Sequence, residues 1–145
     1  MYDHILLPTD GAAEMDAVIE HAVSLAAVHG AEIHALYALD TAAFGALPME
    51  TSADAMASML EEEGEAALEA VETAAGDDVP VSREVVDGSP SRRIVQYARE
   101  QPIDVIVMGT HGRGGLDRLL LGSVAERVVR RSPVPVLTVR VADEE

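Results

Sequence analysis

Residues Ile103–Met108 (IDVIVM) are apolar at nearly every position. A strand half-exposed to water alternates apolar with polar, whereas a run of this kind is buried on both faces, as in a parallel sheet sandwiched by helices. The rest of the chain supplies what such a sheet needs. His4–Pro8 (HILLP) is a short apolar run closed by proline and predicts the first strand. From Ala13 to His29, apolar residues at Met15, Val18, Ile19, Ala22, Leu25 and Ala26 form a helical stripe that Gly30 ends. Ala31–Leu39 predicts the second strand, and residues 40–52 have no period and predict a loop. Residues 53–75, rich in Ala, Glu and Met, predict a long helix with Glu61–Glu65 on its solvated face. Pro80–Val86 predicts the third strand, and a helix follows from Pro90 to about Glu100, with Ser89 as its cap. After Ile103–Met108 come a helix over Ser123–Arg131 and a fifth strand over Val134–Val141. Strands alternating with helices predict a doubly wound α/β fold, a five-stranded parallel sheet covered on both faces, with all of residues 1–145 as one domain. The pattern leaves the strand order open between 2-1-3-4-5 and 3-2-1-4-5. Either order puts the ligand crevice at the carboxyl ends of the strands, beside the loops after strands one and four.

Composition narrows the function. The 145 residues include no cysteine, which removes disulfides, thiolate zinc sites and a thiol nucleophile. The five histidines, at positions 4, 21, 29, 34 and 111, follow no familiar ligand spacing; His4, His21, His29 and His34 read as packing or surface residues. No segment has the length of a membrane span and the N-terminus lacks the features of a signal peptide, so a cytoplasmic protein is expected. All ten bases are arginine, against 26 acids, for a net charge of −16. That excess argues against nucleic acid and against an anionic membrane surface. It fits either an acidic partner-binding face or adaptation to high salt, and the absence of lysine favours a halophilic source. Residues 1–78 hold 17 acids and no base, whereas residues 109–131 hold five arginines against Asp117 and Glu126, a net of +3.

That basic stretch coincides with the glycine-rich segment MGTHGRGGLDRLLLGSVAER, which follows a buried strand and leads into a helix. Gly109, Gly112, Gly114 and Gly115 permit positive φ and let a phosphate approach bare backbone N–H groups. Gly122-Ser123 opens the last helix, where unpaired N–H groups and the helix dipole favour an anion. Ser123 with Glu126 also fits a capping box, and a capping hydroxyl is compatible with a ligand contact. No Gly-Lys-Ser/Thr follows, so the segment is not a P-loop. The first turn reads PTDG and is no dinucleotide fingerprint.

With Gly109-x2-Gly112-x9-Gly122-Ser123, HILLPTDG, GSPSRRI, IDVIVMGTHGRGG and LLLGSVAERVVRRSPVPVLTV in order, the chain resembles the universal stress proteins over its whole length, most weakly over residues 40–52. The resemblance implies strand order 3-2-1-4-5, ATP or AMP as ligand with any Mg2+ held by the phosphates, and homodimers. Position by position, it puts Pro8, Thr9 and Asp10 near the nucleoside and the Ala38 backbone on the adenine edge. Met108, Gly109, His111, Gly112 and Arg113 would line the phosphate loop, and Gly122, Ser123 and Val124 would close on the phosphates. Arg113 stands where the family accepts several residue types. Asp10 as a helix cap and His111 as a spacer remain alternatives.

No nucleophile–base pair or metal-binding acid cluster stands beside the glycine loop. Together with the ligand that the resemblance implies, this makes the expected function adenine-nucleotide binding with a regulatory role in stress response and at most slow hydrolysis. A weak ATPase or adenylyl-transfer enzyme and a dimeric interaction module without nucleotide are the alternatives. The last strand, 136–141, follows Pro133 and Pro135, is apolar and β-branched, and is expected to pair with a second copy.

Overall fold

The computed structural model describes residues 1–11, 14–39, 53–110 and 122–141, with residues 53, 54, 56 and 57 described by backbone alone. Its elements, in chain order, are β1 (His4–Pro8), α1 (Met15–His29), β2 (Glu32–Leu39), α2 (Ala53–Ala75), β3 (Val81–Asp87), α3 (Pro90–Glu100), β4 (Val105–Gly109), α4 (Ser123–Arg131) and β5 (Val136–Val139). The five strands form one parallel sheet in the order β3-β2-β1-β4-β5. Of the two orders the pattern allowed, this is the one the family resemblance implied.

Each face of the sheet has its own helices. Ile5, Leu7, Ile33, Ala35, Val105 and Val107 pack with α1 and α2. Leu6, Leu36, Ile106 and Met108 pack with α3 and α4. Successive residues of β1 and β4 thus feed opposite cores, which explains why these strands are apolar without a break. Ile5, Leu6, Leu7, Ile106 and Val107 have no exposed surface. Burying such a side chain contributes about 1.5–3 kcal/mol.

Helix ends follow local chemistry. Gly30 closes α1 with φ 68°, and its N–H donates to the Ala26 carbonyl, a left-handed cap that glycine adopts without strain. Pro90 opens α3 at its first turn after Ser89, whose side chain makes no capping hydrogen bond. Gly64 interrupts the acidic run of α2 for a packing reason. It is buried against Tyr37 of β2, and a Cβ there would lie 2.7 Å from the ring's Cδ2. The run Glu61–Glu65 is therefore solvated except at its glycine.

Two strands begin two residues later than the sequence suggests. β4 begins at Val105 because the Ile103 N–H turns back to the Gln101 carbonyl. β5 begins at Val136 because the Ser132 hydroxyl takes both polar groups of Val134, donating to its carbonyl at 2.6 Å and accepting its N–H at 3.0 Å. Pro135 contributes only its carbonyl, to Ile106. The acidic and arginine-bearing halves meet where Arg83 of β3 bridges Glu65 and Glu72 of α2, at 2.7 and 3.1 Å.

Candidate functional site

The carboxyl end of the sheet is stepped. β1 ends at Pro8, opposite Leu36, while β2 runs on through Ala38 to Leu39 beside β3. After β1 the backbone turns sharply. The Thr9 N–H donates to the Leu36 carbonyl, the Thr9 Oγ1 accepts the Gly11 N–H at 3.3 Å, and Gly11 takes φ 79°. Thr9 is buried while Asp10 beside it is half-buried. The chain enters α1 after Glu14, so the first helix is not capped by Asp10.

β4 ends in Gly109 one strand away. The Thr110 N–H donates to the Val139 carbonyl of β5, and the Gly122 N–H returns to the Thr110 carbonyl at 2.8 Å. That bond sets the first turn of α4 at the end of β4. Gly122 is the N-cap residue, with φ −67° and ψ 165°, and its carbonyl accepts the Glu126 N–H. Ser123 is thus the first helical residue rather than the cap, and the expected capping box does not form, because the turn places Gly122 at the cap. The Ser123 side chain is exposed. The first-turn N–H groups of a helix have no intrahelical partner and concentrate the positive end of the dipole. β1 lies between β2 and β4, so the chain winds away from it in both directions and the step between the β1 and β4 ends is the switch point of the sheet.

The universal stress protein family model matches residues 1–140. The chain belongs to the universal stress protein family. It is 40% identical to the universal stress protein MJ0531 of Methanocaldococcus jannaschii over all of this chain and 86% of that one. A universal stress protein of Methanothermobacter thermautotrophicus is also 40% identical, over 97% of both chains. Among solved structures, MJ0577 of Methanocaldococcus jannaschii superposes with a TM-score of 0.88 at 30% identity over 99% of each chain. Two more distant universal stress proteins share the fold. One, in complex with cAMP, has a TM-score of 0.71 at 23% identity over 97% of this chain and 98% of that one. The other, from Archaeoglobus fulgidus in complex with dAMP, has a TM-score of 0.66 at 18% identity over 94% of this chain and 97% of that one.

Most of the residues that the resemblance singled out lie at that stepped end. Pro8, Thr9 and Asp10 leave β1, Ala38 lies late in β2, Met108 and Gly109 end β4, and Gly122, Ser123 and Val124 open α4. The Met108 side chain is buried in the α3–α4 core. His111, Gly112 and Arg113 lie outside the described residues. The last-turn arginine Arg130 pairs with Glu126 at 3.0 Å on the exposed face of α4.

The amino end of the sheet holds a second polar cluster, which no sequence motif announced. His4 and Glu32 are directly paired across β1 and β2, and His34 follows Glu32 on the same strand face. His4 Nδ1 lies 3.1 Å from His34 Nε2 and 3.7 Å from a Glu32 carboxylate oxygen. His34 Nδ1 meets the Tyr97 hydroxyl of α3 at 2.9 Å. Burial pushes the His34 imidazole below the ordinary histidine range, opposed by the Glu32 charge, and burial together with the charges of Glu84 and Glu32 pushes the Tyr97 hydroxyl up. The signal in the sequence is the Glu32-x-His34 pair, on one face of any strand. Its meaning depends on a register that brings His4 alongside.

Proposed function

We propose that the protein binds an adenine nucleotide, ATP or AMP, at the carboxyl end of the sheet and acts as a regulatory rather than a catalytic protein. The observation that carries this reading is the hydrogen bond from the Gly122 N–H to the Thr110 carbonyl, which brings the start of α4 to the end of β4, next to the Thr9–Gly11 turn. A helix start supplies N–H groups to phosphate, and the turn after β1 supplies Thr9 and Asp10 to the nucleoside. Ala38, two residues past the one opposite the end of β1, offers backbone to the base edge. Gly109, His111, Gly112 and Arg113 complete the phosphate side, and Mg2+ arrives on the phosphate oxygens. The cAMP and dAMP complexes of distant relatives support the same ligand class on this fold.

The reading extends to a homodimer. β5 is an edge of the sheet, and all four of its residues, Val136–Val139, are only half-buried. Pairing with a second β5 about a two-fold axis would cover that edge. Calorimetric titration with ATP and with AMP in molar salt tests the ligand. Saturable binding of one nucleotide per chain is expected, and no heat with either ligand ends the proposal.

A further inference from the structure

We propose that His4, Glu32 and His34 form a divalent transition-metal site of the zinc class at the amino end of the sheet, opposite the nucleotide crevice, with Tyr97 as its orienting partner. One ligand atom from each residue lies within 4.8 Å of the other two. The His4 Nδ1 to His34 Nε2 separation is 3.1 Å and the His4 Nδ1 to Glu32 Oε1 separation is 3.7 Å. Tetrahedral zinc with bonds of about 2.0–2.1 Å holds its ligand atoms about 3.3 Å apart, so shifts of a few tenths of an ångström bring these two separations to coordination, and the partly exposed Glu32 carboxylate closes on His34 from within 4.8 Å. Two imidazoles and one carboxylate suit zinc rather than magnesium or calcium, which take oxygen ligands.

The surroundings meet the further requirements of a metal site. A metal-binding imidazole donates its other N–H to an oriented acceptor, and the Tyr97 hydroxyl stands 2.9 Å from His34 Nδ1 for that purpose. In the tautomer with hydrogen on His34 Nδ1, the Nε2 lone pair faces His4. His34 is buried, whereas the His4 and Glu32 side chains are 33% and 36% exposed, so an ion enters from solvent and a water completes the fourth position. The Glu84 charge acts on the same imidazole and raises the attraction for a cation. Bound there, the metal would tie the first strand to the second.

The test is zinc titration of the chelator-stripped full chain against a chromophoric competitor, in molar NaCl so that diffuse binding to the acidic surface is screened. One zinc per chain is expected, with a rise in melting temperature. His4→Gln and Glu32→Gln, both at partly exposed positions, are each expected to weaken binding at least tenfold and to remove the thermal shift. Tyr97→Phe, which keeps the ring and its packing, is expected to weaken it about 10- to 100-fold. Folding of each variant is checked by circular dichroism. The absence of stoichiometric zinc binding, or an affinity unchanged in both His4→Gln and Glu32→Gln, overturns the proposal.

Discussion

The two ends of one sheet are built from different materials. At the carboxyl end the contacts are made by backbone, as from Thr9 N–H to Leu36, Thr110 N–H to Val139 and Gly122 N–H to Thr110, and by the hydroxyls of Thr9 and Thr110. At the amino end ionisable side chains join the backbone bonds from Glu32 N–H to Asp3 and from Asp104 N–H to His4. An Asp104 carboxylate oxygen accepts the N–H groups of Asp3 and His4 at 2.7 and 2.9 Å, the Tyr2 N–H donates to His29 Nδ1, and His4, His34 and Tyr97 form a chain. A backbone end leaves amides and helix starts pointing outward, which suits an anion. An end closed by imidazoles and carboxylates suits a cation or holds strands in place. The polarity of a parallel sheet thus separates the two chemistries by the length of its strands.

The sharpest way to break this contrast is at Gly122. Its φ of −67° and ψ of 165° are extended backbone open to any residue, so Gly122→Val leaves the local conformation allowed. The added side chain obstructs a phosphate at the α4 start. Nucleotide affinity is expected to fall about 100-fold or more, equivalent to ~2.7 kcal/mol. Calorimetry reads this directly, and equal affinity in a folded variant would remove α4 from the site.

Next in size is the dimer. The carbonyls of Pro135 and Val139 point to β4, since they accept from Ile106 and Thr110. In a strand the polar groups of alternate residues point to opposite edges. Thr138 therefore presents its N–H to the open edge, while Leu137 faces β4. Thr138→Pro should leave the β4–β5 ladder intact and abolish the dimer, whereas Leu137→Pro should also damage the sheet. Sedimentation at micromolar concentration distinguishes them, and a Thr138→Pro protein that is still dimeric rules out this interface.

The same contrast explains what was legible beforehand. The turns at the carboxyl end were readable because Gly122 and the PTDG turn lie in continuous stretches next to apolar runs, although the cap itself falls on Gly122 rather than Ser123. The strands were readable from apolar runs such as IDVIVM, and their limits less so, because limits depend on single contacts such as Ser132 to Val134. Strand order did not follow from the pattern and came from family resemblance. The amino-end cluster was illegible because positions 4, 32, 34 and 97 meet only once register and helix packing are known. The role of Gly64 was hidden for the same reason, as nothing near it in sequence announces Tyr37.

Charge tests the contrast at intermediate scale. The first 78 residues carry 17 acids and no base, so their mutual repulsion is relieved in part by Arg83, which joins Glu65 and Glu72. Melting temperature is expected to rise by several degrees from dilute buffer to about 1 M NaCl, where the Debye length is about 3 Å. A flat or falling curve would remove the high-salt reading and favour an acidic partner face. Arg83→Gln should steepen the low-salt part of the curve, because it leaves two acids of α2 uncompensated.

The smallest expected effect is at Asp104, and it tests whether the amino end is held by charge-assisted contacts. The amides of Asp3, then of His4, hold the Asp104 carboxyl below the usual carboxylate range. A carboxyl whose folded pKa lies below its unfolded value of about 3.9 contributes stability above that value. The contribution disappears as pH falls through the lower, folded value, because both states are then protonated. Asp104→Asn keeps the shape and an acceptor oxygen but not the charge. Since the group is exposed, the loss at pH 7 should stay below about 1 kcal/mol. Urea unfolding of both proteins, from pH 7 down toward the acid limit of folding, should show the difference between them narrowing below about pH 4. A difference that holds constant over that range means that Asp104 acts through shape and hydrogen-bond geometry alone, and the amino end would then owe nothing to its charge.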